Sequence, residues 1–249
     1  MAIHYRTRGF ILKKEDLREA DRIYTLFTKD FGKLELLARS VRKIKSKLRG
    51  GLAQFWLSEV EFIQGKTYKT ITDTNLIDNF KNLRGDLKRL AVAHRIAEVL
   101  DNLVKGEEPD ERIWDLLKKT FQRLNNPTLK VSHLPLIYYY FFWNLLSILG
   151  YEPQLDVCVS CQKKLTPENL YFNFEEGGVI CGSCFGKIKS ELSEQKFVGL
   201  KSCQPEIIKL LRLLLRKDWQ TLTKIKIASF YWKSLKDISN NYYSYILNQ

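Results

Sequence analysis

The chain has 249 residues, 45% of them hydrophobic, and 41 Lys and Arg stand against 28 Asp and Glu for a formal net charge of +13. That is enough apolar material for one large core or two smaller ones, as in a soluble globular protein, and the excess of cations points to a polyanionic partner. Met1 to Tyr5 runs straight into Arg6 and Arg8 without an apolar leader, which argues against secretion.

From Ile3 to about Asp73 the pattern is one of short strands: Arg8–Leu12, Arg22–Thr28, Lys33–Arg39, Phe55–Ile63 and Lys66–Thr72. Aromatic and β-branched residues alternate there with polar ones, as half-buried strands require. Lys29-Asp30-Phe31-Gly32 and Gln64-Gly65-Lys66 supply turns. Five short strands in so little chain predict a small closed barrel.

After Asn75 the period becomes helical, with Leu76, Phe80, Leu83, Leu87, Leu90, His94, Ala97 and Val104 at three- and four-residue steps, which places a domain boundary near residues 74–80. A second helix starts behind the N-cap Asp110 and carries Ile113, Leu117, Phe121 and Leu124 on one face. A third, Pro135–Leu149, is apolar nearly all round, so it should be the central, fully covered member of a bundle, with Gly150 as its C′ residue. The run Leu134–Leu149 is too short for a membrane span and contains Pro135 and Asn144. Pro205–Leu215 and Thr221–Ile246 read as further amphipathic helices.

Between them lie Cys158, Cys161, Cys181 and Cys184, two CxxC pairs separated by nineteen residues. Each CxxC turn aims two thiolates at one centre, and Zn²⁺ takes four soft ligands tetrahedrally with no open position for a substrate. The spacing predicts one structural zinc; two disulfides, four free thiols or a catalytic zinc are the alternatives. None of His4, His94 and His133 stands in an HxE or HExxH motif, which argues against the catalytic one. Leu170–Phe174 and Gly177-Gly178-Val179 resemble a short hairpin between the knuckles, and Cys203 is left over.

Arg39, Arg42, Lys43, Lys45, Lys47 and Arg49 place six cations in eleven residues, and no acidic residue occurs from 36 to 58. A solvated charge run usually mixes signs, so this one predicts nucleic-acid contact, on a segment that leaves the third strand and crosses the barrel mouth with Gly50-Gly51 as a flexible exit. Tyr5, Phe55 and Trp56 are candidate stacking faces, although strands need large apolar residues in any case and the barrel core is the favoured place for them.

Three stretches resemble the RecO family of bacterial recombination mediators. They are Gly9-Phe10-Ile11-Leu12 with Glu19-Ala20-Asp21-Arg22-Ile23-Tyr24-Thr25-Leu26-Phe27-Thr28 and Phe31-Gly32; Val41-Arg42-Lys43-Ile44-Lys45-Ser46-Lys47-Leu48; and Leu145 to Asp156 running into Cys158 and Cys161. The resemblance covers essentially the whole chain. It implies an α+β multi-domain architecture: a five-stranded OB-fold over residues 1–78, then a helical bundle domain over 79–249 with the four-cysteine zinc element inserted at 155–188. It also implies a non-enzymatic, cytoplasmic, nucleoid-associated protein of DNA repair and homologous recombination in the RecF pathway. Such a protein binds single- and double-stranded DNA, anneals complementary strands and helps load RecA on SSB-coated single strands. The implied partners are RecR and the acidic C-terminal tail of SSB. That tail needs an apolar pocket rimmed by cations, with Arg84, Lys88, Arg89, Arg95, Lys209, Arg212 and Arg216 as candidates and none of them singled out by a motif. An RNA-binding or ribosome-associated protein is the alternative, since a barrel, a basic loop and a zinc knuckle occur there too.

Overall fold

The structure, a computed structural model, describes residues 3–191 and 199–249. It divides into two compact units, Met1–Phe141 and Phe142–Gln249, with the division falling inside a helix.

The first unit opens with β1 (His4–Leu17), β2 (Asp21–Thr28), β3 (Gly32–Ala38), β4 (Leu57–Gln64) and β5 (Lys69–Asp78), closed into a barrel in the order β1-β2-β3-β5-β4. Neighbours are antiparallel except β3 and β5, which pair in parallel at Leu36–Lys69 and Leu37–Thr70. Closure depends on β1 bending. A bulge between Ile11 and Lys13 lets its first half pair with β4 and its second with β2. Ile11, Tyr24, Leu26, Leu34, Leu36, Val60, Phe62 and Ile71 fill the interior.

The five-stranded barrel is therefore present, with two corrections to its last strand. That strand runs Lys69–Asp78 rather than Lys66–Thr72, so Leu76 belongs to it and is 43% exposed instead of starting a helix. Half of β5 is exposed and only Ile71 is buried, so ladder hydrogen bonds to β4 extend it where no apolar alternation marks it. Phe80 sits at φ 46°, and the helices begin beyond it.

Those helices are α1 (Lys81–Arg84), α2 (Leu87–Leu103) and α3 (Glu111–Asn125). Asp86 caps α2 by accepting from the N–H groups of Lys88 and Arg89, and Asp110 caps α3 by accepting from Arg112 and Ile113. Ile113, Leu117, Phe121 and Leu124 are buried as the α3 periodicity requires. The face of α2 differs: Leu87 is 84% exposed, and Val92, Ala93, Ile96, Ala97, Val99 and Leu100 are the buried residues. Phe10 of β1 packs among Phe80, Trp114 and Phe121 at centroid distances of 6.0, 5.1 and 5.2 Å, so the barrel and these helices share an aromatic core.

Helix α4 (Leu134–Ile148) is buried without a break from Leu136 to Leu146, in keeping with its all-round apolarity. It ends in a Schellman motif: Gly150 lies at φ 91°, its N–H reaches Ser147 O, and Tyr151 N–H reaches Leu146 O. In the second unit Trp143 stacks on Tyr242 and donates to Ser239 Oγ at 3.2 Å, while Asn144 Nδ2 donates to Leu214 O at 2.9 Å. The hairpin β6 (Leu170–Asn173) and β7 (Gly178–Ile180) acquires a third strand, β8 (Leu200–Cys203), and α5 (Gly182–Glu191) follows β7. Helix α6 (Pro205–Leu215) is as expected. The last helical stretch is two helices, α7 (Trp219–Lys224) and α8 (Ser229–Leu247), parted at residues 225–228 where β-branched Ile225 and Ile227 weaken the helix. No helix among the described residues is long and apolar enough to cross a membrane.

Candidate functional site

Cys158 and Cys161 stand on a knuckle closed by the Val157–Lys164 bridge and by Cys158 N–H to Lys163 O at 2.9 Å. Cys181 follows β7 and Cys184 lies in the first turn of α5. The four Sγ atoms all fall within 4.8 Å of one another, and Cys161 Sγ is 3.9 Å from Cys181 Sγ. Sulfurs placed tetrahedrally about Zn²⁺ at its usual bond length are about 3.8 Å apart, close to the Cys161–Cys181 separation, so the cluster could hold such an ion.

The chemistry of the donors agrees with a cation at their centre. Burial works against ionising Cys158, but hydrogen bonds from the Cys161, Cys181 and Ser160 backbone bring its pKa down to about 7. Burial and the neighbouring thiols push Cys184 up to about 12. Four thiolates this close repel one another, and a divalent cation removes that repulsion. Cys203 stands apart in β8, its thiol pushed up to about 12 by burial.

The basic segment follows β3. Val41 and Leu52, 1% and 4% exposed, belong to the barrel core, and Leu48 packs against it. Ser40 N–H donates to Asp21 Oδ1 at 2.7 Å and Arg42 N–H to Ala20 O at 3.0 Å, at the β1–β2 turn. At its other end Thr74 Oγ1 donates to Leu48 O and Ser58 Oγ to Gly51 O. The segment thus spans one end of the barrel, from the β1–β2 turn to β4 and β5, and is tied down along its length. Of the Gly50-Gly51 pair, Gly51 is buried and packed in place. A Cβ on Gly51 would lie 2.5 Å from Thr74 Oγ1, so glycine is needed for close approach, whereas Gly50 has open space.

All six predicted cations are exposed. Arg42 is engaged, with Nη1 at 3.3 Å from Arg18 O and 3.5 Å from Asp16 Oδ2. Among the described residues Arg39, Lys43, Lys45, Lys47 and Arg49 have no carboxylate within 4.0 Å. The aromatic candidates serve packing: Tyr5 stacks on Phe62, Phe55 meets His94 and Phe121, and Trp56 lies against the barrel core under the Arg84 guanidinium.

Arg39 also lines a cleft of about 370 Å³ with Arg18, Lys66, Thr67 and Tyr68, and Tyr68 is 39% exposed. Arg18 comes from the β1–β2 turn and Lys66 to Tyr68 from the β4–β5 turn, the two loops that flank the ligand face of such barrels. Periodicity does not reveal Arg18, Lys66 and Tyr68. Counting cations and aromatics in those two turns would have found them.

Two family models match the chain: "Recombination protein O N terminal" over residues 1–80 and "Recombination protein O C terminal" over residues 84–249. A protein of Dehalococcoides mccartyi named DNA repair protein RecO is 38% identical over 180 residues, which cover 72% of this chain and 70% of that one. Proteins of the same name from Thermoanaerobacter sp. and Caldanaerobacter subterraneus are 32% and 30% identical, over 90% and 89% of this chain and 84% of each relative.

Proposed function

The chain belongs to the RecO family of DNA repair proteins, and on that premise we propose that it is a recombination mediator of the RecF pathway. It binds single- and double-stranded DNA, anneals complementary strands and helps RecA load on SSB-coated single strands, with RecR as a further partner and no bond broken. One observation carries this reading: a cation run pinned across the barrel end by Val41, Leu48 and Leu52, with five of its side chains exposed and without a carboxylate partner among the described residues. Phosphate contacts carry no sequence information and leave base edges free. A fixed basic platform therefore lowers the repulsion between two strands while allowing them to pair. The cleft of Arg18, Arg39, Lys66 and Tyr68 extends the same track.

Cys158, Cys161, Cys181 and Cys184 would hold one zinc, which supplies a cross-link between the first knuckle and the start of α5. For the acidic SSB tail, support comes from a groove of about 280 Å³ with an apolar floor of Leu210, Leu213, Ile225, Ile227 and Tyr231, where Lys209 and Lys226 outnumber the one acid, Glu206. An apolar terminal residue fits its floor and the preceding carboxylates its lysines. Among the other candidates, Arg89 is bonded to Leu124 O and Asn126 O, Arg95 stacks on Tyr138, and Arg212 is held by Leu155 O and Asp156.

The test is binding to single-stranded DNA, duplex DNA and matched RNA across a salt series. With six cations each meeting one phosphate, the log-log slope on single strands should be about −4, and replacing Lys43, Lys45 and Lys47 by Ala should flatten it by about 2. An unchanged slope would remove the segment from the interface, and strong preference for RNA would remove the DNA-repair role.

A further inference from the structure

Ser46 N–H donates to Lys43 O at 3.0 Å, closing a turn whose central residues are Ile44 and Lys45. Ile44 is 91% exposed, although the neighbouring aliphatic anchors Val41 and Leu48 are turned in against the barrel. Turn positions usually take Gly, Asn, Asp, Pro or Ser, and a bare aliphatic side chain there leaves apolar surface in water for no gain in packing. The side chain is held outward, because the segment is fastened at Ser40 and at Leu48 on either side of the turn. Lys43 and Lys45, both exposed, flank it.

An aliphatic tip between two cations is suited to entering a base stack: the cations hold the backbone on each side, and the apolar group takes the place of a stacked neighbour. We propose that Ile44 is a base-contacting residue that inserts between adjacent bases of the DNA strand held by the basic segment. This inference rests on the DNA-binding role proposed for that segment. It adds an apolar contact that phosphate binding does not provide, and it separates one base step of the strand while leaving the pairing edges clear.

The test uses oligonucleotides with 2-aminopurine, whose fluorescence is quenched by stacking, spaced along an adenine-rich strand. Binding of the unaltered protein should brighten the probe. Ile44→Ala should abolish the brightening and weaken binding by about tenfold while keeping the salt slope, since no charge is changed. Ile44→Leu should restore both. If Ile44→Ala binds and brightens the probe like the parent, Ile44 is not a wedge and the DNA-binding role of the segment stands. Weaker binding with a flatter salt slope would trace the loss to displaced lysines and would also overturn the wedge. If the unaltered protein does not bind DNA at all, both readings fall.

Discussion

The cysteines act locally. Each CxxC pair is set by one turn of backbone, and the 4.8 Å cluster joins two such turns. Metal analysis should return about one zinc per chain, and Cys158→Ser should lower both zinc content and thermal stability, since structural zinc contributes on the order of 10 kcal/mol to small sites. A metal-free protein of unchanged stability would contradict a structural ion. A second residue-scale prediction concerns Asp110. The Arg112 guanidinium beside it, with the N–H groups of Arg112 and Ile113, holds its carboxyl below the usual aspartate range despite partial burial. Asp110→Ala should cost about 1 kcal/mol near neutral pH. A carboxyl lowered in the folded state stabilises above its unfolded pKa and loses that contribution as pH falls through the folded value. The gap between Asp110→Ala and the parent in chemical denaturation should therefore narrow in acid. Both residues were legible in the sequence, because a CxxC pair and an N-cap are defined by near neighbours. Arg18, Lys66 and Tyr68 show there only as cations and an aromatic in two separate turns, and the closing of the barrel is what brings those turns together.

At the scale of elements, the basic segment behaves as a fixed strap. Gly51→Ala should destabilise the barrel by about 1–3 kcal/mol through the clash with Thr74, while Gly50→Ala should be close to neutral in thermal unfolding. Equal effects at both positions would mean that the strap is not seated as described. Phe121→Ala should cost about 3–5 kcal/mol, because Phe121 is the ring shared by Phe10, Phe55 and Phe80. Elements rich in buried apolar residues were readable from sequence: β2, β3, α3 and α6 lie close to their expected bounds. Those that failed bury little or carry a misleading spacing. The outer half of β5 is exposed, Leu200-Lys201-Ser202-Cys203 forms β8 only through pairing with β6, and Leu76, Phe80 and Leu83 imitate a helical stripe across a strand end and a left-handed turn.

For the molecule as a whole, the net charge of +13 matters less than its placement: five cations without a carboxylate partner among the described residues stand on one strap across one end of a five-stranded barrel. Family membership places the chain in DNA repair. The strap supplies a physical reason for the proposed strand annealing, since a fixed basic platform that meets phosphates would leave bases to pair. The sequence composition pointed to a polyanion without choosing one, because DNA, RNA and anionic lipid share that charge. The most direct measurement is the rate at which complementary DNA strands anneal at moderate salt, with the parent protein and with Lys43, Lys45 and Lys47 replaced by Ala. The account predicts annealing well above the spontaneous rate for the parent and a large loss in the triple variant at unchanged thermal stability. Annealing no faster than in buffer, or equal in parent and variant, would contradict it.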